Sequence, residues 1–87
     1  MAKVVLARRA RREVLDLERH LADAVEKALG LLESEPEVGH PLRGLLRGLW
    51  SLRVGSYRIV YQLIEGGKTV RVLAVRHRST AYRADPR

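Results

Sequence analysis

Apolar and polar positions divide the chain into a helical first half and a stranded second half. Val4-Val5-Leu6 is a short β-prone start. From about Ala7 to Glu33 the apolar residues recur at helical spacing: Ala10, Val14, Leu17 and Leu21 share one face, and Val25, Ala28, Leu29 and Leu32 continue it. Neither Gly nor Pro interrupts Arg19-His20-Leu21-Ala22-Asp23. An unbroken helix of that length would nevertheless run to about 40 Å at 1.5 Å per residue, too long for so small a domain. The pattern therefore predicts a helical hairpin, with Asp23 available to cap its second arm. Pro36, Gly39 and Pro41 close the helical region.

Beyond them the period changes to two. Leu49 to Val54, Tyr57 to Ile64 and Thr69 to Arg76 alternate, and Gly55-Ser56 and Gly66-Gly67 punctuate them as hairpin turns do. Gly-Ser suits a two-residue type II′ turn, which sets Arg53 opposite Arg58 and Trp50 opposite Tyr61. The next loop has two readings. A Gly66-Gly67 turn sets Arg58 opposite Val75, and a Gly66-Gly67-Lys68 loop sets it opposite Arg76. Burial favours the second, because a one-residue slip exchanges the faces of a strand. One face then collects Trp50, Leu52, Val54, Tyr57, Ile59, Tyr61, Leu63, Leu73 and Val75, able to cover the helical hairpin. The other collects Arg53, Arg58 and Arg76 beside Ser51, Val60, Ala74 and Gln62. His77 to Arg83 is a short tail with room for one helical turn. The expected fold class is α+β: an N-terminal strand and a helical hairpin packed on a small antiparallel β-sheet, one domain over residues 1–87.

Composition narrows the function. Hydrophobic residues make up 46% of the chain, which excludes a disordered basic tail. No apolar run approaches the ~20 residues of a membrane span. Arg8, Arg9, Arg11 and Arg12 follow the first short apolar run instead of preceding it, unlike a signal peptide. With no cysteine for disulfides or thiolate metal sites, a cytoplasmic protein is expected. Residues 1–38 carry seven Lys/Arg against eight Asp/Glu, whereas residues 39–87 carry ten against only Glu65 and Asp85, so the net +7 belongs to the second half. Such one-sided charge points to a polyanionic partner more than to solubility, which usually mixes both signs.

Three arginines abreast on neighbouring strands repel one another. With no carboxylate expected on that face they suit an external anion, since the guanidinium fork matches phosphate oxygens; a solvated, edge-protecting face is the bland alternative. Arg43 and Arg47 in the Gly-rich loop, and Arg78 and Arg83 in the tail, are candidate RNA-backbone contacts or solvated loop residues. His77 is of the residue type that can transfer a proton, although a lone histidine is more often a surface or packing residue. Tyr82 can transfer a proton or stack on a base. Arg8, Arg9, Arg11 and Arg12, among Glu13, Asp16 and Glu18, read as a mixed helix surface, and Trp50, Tyr57 and Tyr61 as core. His20 and His40 have no assigned role. The basic half has no carboxylate cluster and the histidines lack ligand spacing, so neither metal nor cofactor is expected.

The run Leu49-Trp50-Ser51-Leu52-Arg53-Val54-Gly55-Ser56-Tyr57-Arg58-Ile59-Val60-Tyr61 resembles the central block of the RelE/ParE toxin superfamily. Val75-Arg76-His77-Arg78-Ser79-Thr80-Ala81-Tyr82-Arg83 resembles its closing block. The likeness spans nearly the whole layout of the chain. RelE-like members are toxins that cut mRNA in the ribosomal A site and are held inactive by an antitoxin encoded beside them. The resemblance implies a toxin of a type II toxin–antitoxin system, a metal-independent endoribonuclease that cleaves mRNA on the ribosome and inhibits translation. Its implied partners are a RelB-like antitoxin with an acidic binding segment, the ribosome and mRNA. It also implies catalytic roles for Arg58, in the Tyr-Arg-x-Val-Tyr block, and for Arg53, Arg76 and Tyr82. Some members carry a lysine at the position of Ser51, which leaves the general base unassigned here. Two other readings share the family: a ParE-type, non-enzymatic inhibitor of DNA gyrase, and a degenerate member that only binds RNA or antitoxin. Arg53, Arg58, Arg76 and Tyr82 together favour the nuclease.

Overall fold

The computed structural model describes all 87 residues. β1 (Lys3–Leu6) leads into α1 (Arg8–Leu15) and α2 (Arg19–Ser34), followed by β2 (His40–Pro41), β3 (Trp50–Val54), β4 (Tyr57–Ile64) and β5 (Thr69–His77). The strands form one sheet in the order β1-β5-β4-β3-β2. The α+β class is as expected, but the sheet is larger than the alternation suggested, and mixed. β1 joins it parallel to β5, from Lys3↔Thr69 to Leu6↔Val72. Parallel pairing needs a long connection, and the helices supply it. β2, which the sequence marks only by Pro41 at the close of the helical region, pairs His40↔Ser51 and Pro41↔Trp50. Pro41 is tolerated there because β2 is an edge strand.

The helical region does break into two arms, at residues 16–18. The cap of the second arm is Glu18, whose carboxylate accepts from Leu21 N (2.6 Å) and His20 N (3.1 Å). Asp23, the expected cap, lies inside α2. Two donors that the helix cannot satisfy internally are thereby paired.

Gly55 has the positive φ (58°) that a type II′ turn requires, and β3 and β4 pair in the expected register, with Arg53↔Arg58. Between β4 and β5 both sequence readings are realised. Arg58↔Arg76, Ile59↔Val75 and Val60↔Ala74 follow the three-residue reading, whereas Tyr61↔Val72 through Ile64↔Thr69 follow the two-residue one. A β-bulge at Val60/Tyr61 joins them by accommodating Leu73 as the extra residue. Leu73, expected on the helix side, therefore turns to the opposite face, and Val70 and Val72 take its place in the core.

On the helix side Ala10, Val25 and Leu32 meet Ile59, Tyr61, Val70, Val72 and Val75. Trp50 and Tyr57 pack against this core as expected, Trp50 stacked on Tyr61 with ring centroids 6.2 Å apart. The Tyr61 hydroxyl donates to Pro36 O (2.9 Å) and accepts from Gly39 N (3.1 Å), tying the α2–β2 loop to the core. The other face has a smaller core of Leu49, Val60, Leu73 and Ala74 under Ala7, Leu42 and Leu46. Ala7, the β2–β3 loop and the tail cover that core. No helix is long and apolar enough to cross a membrane.

Candidate nucleic-acid interface

Strand alternation and register set Arg53, Arg58 and Arg76 in one row across β3, β4 and β5, on the face turned from the helices. Arg53 is exposed, and Arg58 and Arg76 are half-buried. Arg58 Nη1 donates to Tyr57 O (3.0 Å), which anchors the guanidinium at the start of β4. Two residues along the strands, about 7 Å away, Ser51, Val60 and Ala74 form the next row.

The row is not free of acid, contrary to the expectation from sequence. Glu13 on α1 accepts from Arg76 Nε (2.8 Å) and from Val75 N (2.9 Å). β1 ends at the Leu6↔Val72 pair, so β5 beyond Val72 has no strand on that side, and Glu13 occupies the vacant edge. More than sixty residues separate the partners, and no spacing pattern could have joined them. Arg53 and Arg58 have no carboxylate partner, since the only ion pairs are Glu13–Arg76 and Asp85–Arg87. The α1 surface changes accordingly. Arg8, Arg9, Arg11 and Arg12 are exposed without an ion pair, because Glu13 faces Arg76 and Glu18 caps α2.

The tail crosses the same face. Arg78 N donates to Ser56 O (2.7 Å), and Thr80 N and Ala81 N both donate to His77 O, making turns with no helix. Ala81 is buried, and the Tyr82 hydroxyl lies 2.6 Å from Ser51 Oγ. Ser51 is fully buried. A position that resembles a lysine site in some family members is thus a tether for Tyr82. Ser51→Ala is expected to release the tyrosine, a loss of roughly 1 kcal/mol for one hydrogen bond. Faster amide exchange at Ala81 and Tyr82 with unchanged exchange in β4 would register it; unchanged exchange in the tail would refute the tether.

Arg87, which the sequence reading left without a role, clasps tail to loop. Its guanidinium donates to Arg47 O (2.9 Å) and Leu45 O (3.0 Å) while Asp85 holds its other edge. The clasp joins the two segments that carry Arg43, Arg47, Arg78 and Arg83, all exposed. His77 is not brought to the row. It pairs with Tyr57 and so faces the helix side, its ring edge-on to Tyr57 at 5.6 Å and Nδ1 2.9 Å from Ser79 Oγ. His40, opposite Ser51, is an exposed histidine on the arginine side.

A family model described as the ParE toxin of type II toxin–antitoxin systems matches residues 4–82. The chain is 46% identical over 76 residues to the toxin RelG of Mycobacterium tuberculosis, covering 85% of this chain and 87% of that protein. It is 38% identical over 85 residues to the toxin RelE of the same organism, covering 95% and 88%. Among solved structures it resembles a chain of the M. tuberculosis toxin–antitoxin complex RelBE2, with a TM-score of 0.77, 42% identity and coverage of 87% and 96%. Isolated E. coli RelE shares the fold, with a TM-score of 0.77, 24% identity and coverage of 88% and 84%. With the family model spanning almost the whole chain and curated toxins this similar, the chain belongs to the RelE/ParE superfamily and is a toxin of a type II toxin–antitoxin system.

Proposed function

We propose that residues 1–87 act as one toxin domain, a metal-independent endoribonuclease that cuts mRNA on the ribosome in the cytoplasm. The observation that carries this reading is the in-register row of Arg53, Arg58 and Arg76, with a single carboxylate among three guanidiniums and Tyr82 one row away. Such a row fits a phosphate whose charge grows as it becomes pentacoordinate. The 2′-OH of the RNA attacks the adjacent phosphorus, giving up its proton to a base. The P–O5′ bond breaks as a 2′,3′-cyclic phosphate forms, and the departing 5′ oxygen takes up a proton. Cations already aimed at the developing charge supply the largest share of such a rate enhancement. The ribosome, holding the message in an attack-ready geometry, contributes the rest.

The Tyr82 ring, 39% exposed although its hydroxyl is tethered, is open enough to stack on a base. Arg43, Arg47, Arg78 and Arg83 would hold the flanking backbone. No three His, Asp or Glu side chains gather where they could share an ion. An acidic antitoxin segment is the fitting inhibitor, because it would relieve repulsion along the row and block phosphate entry together. The similarity to a toxin crystallised in a toxin–antitoxin complex supports such a partner.

Primer extension on ribosome-bound message tests the reading. Cuts within the A-site codon are expected, and they should persist in EDTA once ribosome integrity is maintained separately. The ParE description of the matching family model favours a second reading, inhibition of DNA gyrase. Intact message with loss of gyrase supercoiling would establish that alternative and remove the nuclease.

A further inference from the structure

We infer that Glu13 is a positioning residue, which holds the Arg76 guanidinium with its two terminal nitrogens presented to the scissile phosphate. The inference rests on the ribonuclease reading and deepens it. Glu13 Oε2 accepts from Arg76 Nε, the donor nearest the main chain, at 2.8 Å. Glu13 Oε1 accepts from Val75 N at 2.9 Å, so the carboxylate is itself fixed against the backbone of the strand that carries Arg76. Gripping Nε fixes the plane of the guanidinium and leaves the Nη1–Nη2 edge, the one that meets phosphate as a fork, without a partner in the fold. The side chains of Arg76 and Glu13 are only 18% and 24% exposed, so solvent competes weakly for either group.

The same contact answers a problem of the unliganded fold. Arg76 stands opposite Arg58, and like charges in register repel. One carboxylate at the end of the row offsets part of that repulsion. It does so from the Nε side, away from the edge that phosphate needs. Glu13 therefore weakens the attraction of the row for any anion while fixing where one of its cations points. That combination separates positioning from simple structural support. A residue that only braced the sheet would change binding and cleavage together, or neither.

Glu13→Gln keeps the shape and an oxygen for Val75 N but sets an amide where Arg76 Nε needs an acceptor. Single-turnover cleavage of ribosome-bound message should slow by roughly 10- to 100-fold, the scale of a small misplacement of a reacting group. RNA affinity at fixed ionic strength should be unchanged or tighter, since a negative charge has left the row. On an Arg76→Lys background the same substitution should add no further loss. Equal losses on both backgrounds, or weaker RNA binding in proportion to slower cleavage, would overturn the inference. Should Glu13→Gln fail to fold, Glu13→Asp keeps the charge but is too short to bridge both donors, so cleavage should slow with RNA affinity unchanged and with no further loss on the Arg76→Lys background. Nitrogen-15 relaxation at the arginine Nε positions is independent of activity. Arg76 Nε is expected to be rigid in the parent chain and mobile in Glu13→Gln, and an Nε as mobile as that of Arg53 in the parent chain refutes the inference. A rigid Arg76 in a chain that leaves message uncut would instead refute the ribonuclease reading and leave Glu13 holding the arginine.

Discussion

Arg58→Ala is expected to lower cleavage of ribosome-bound message by roughly 100-fold or more, the scale seen when one preorganised transition-state donor is removed. The fold should survive unharmed. Arg58 sits in the centre of the row, opposite Arg53 on one side and Arg76 on the other, and its one hydrogen bond is to the carbonyl of Tyr57. Like charges directly opposite in a sheet destabilise by ~0.2–1 kcal/mol a pair, so its removal relieves two repulsions while surrendering one partly exposed contact. An unchanged or slightly higher melting temperature is the expected companion of lost cleavage. Arg76→Ala should lose cleavage on the same scale but also some stability, on the order of 1 kcal/mol, because Glu13 is left half-buried with only Val75 N as partner. Different stability changes alongside matched losses of activity show that the lost cleavage does not follow from lost stability. Each variant should also flatten the dependence of RNA affinity on salt by about 0.7–0.9 in the log–log slope, the share of one phosphate contact. An Arg58→Ala chain that cuts message at the parent rate would remove the row from the active site.

The row was legible in the sequence because it depends on parity and turn length alone. Gly55-Ser56 fixed the pairing of β3 with β4, and period two then put Arg53, Arg58 and Ser51 on one face. The β4–β5 register was legible only in part. Each competing turn reading describes one half of that hairpin, and the bulge that reconciles them leaves no mark in the sequence beyond Leu73 falling out of step. What stayed hidden was every contact between distant elements: Glu13 with Arg76, Tyr82 with Ser51, Arg87 with the carbonyls of residues 45 and 47. These join residues 31 to 63 positions apart, where no periodicity acts. The roles of the α1 and turn carboxylates were hidden for the same reason. Local spacing placed Glu13 and Glu18 beside the arginines on a mixed surface and could not show that Glu13 closes a strand edge and Glu18 caps a helix. His77 lies apart from the row for a simpler reason: one residue beyond Arg76 in a strand means the opposite face.

The largest loss of stability is expected at a residue with no side chain. Gly39 passes so close to β3 that a Cβ on it would clash with the backbone oxygen of Ser51 and meet the Tyr61 hydroxyl at 2.6 Å. Neither obstacle can yield cheaply. The Ser51 carbonyl belongs to β3, which is paired on both sides, and Tyr61 is fully buried with its hydroxyl engaged by Pro36 O and Gly39 N. Gly39→Ala should therefore destabilise by about 3–5 kcal/mol, in the range of disrupted cores. Tyr61→Phe keeps the ring and strands one buried acceptor and one donor, at a smaller expected cost of ~1–3 kcal/mol. Burial, reinforced by the nearby Glu37 carboxylate and opposed by the Gly39 hydrogen bond, holds the Tyr61 hydroxyl above its ordinary pKa near 10. The folded state thus favours the protonated phenol. Its contribution is complete below pH 10 and falls away as the pH rises through the higher folded value. Tyr61→Phe should abolish that alkaline component. Urea midpoints measured at pH 7 and above pH 10 for the parent chain, Gly39→Ala and Tyr61→Phe test the whole set. Because the strand oxygen that Gly39 crowds belongs to Ser51, Gly39→Ala should also loosen the Tyr82 tether and slow cleavage, whereas Tyr61→Phe, acting from the other face, should not. A Gly39→Ala chain with the parent midpoint would mean that position 39 has room for a side chain beside Ser51 and Tyr61, and would detach this loop from the site.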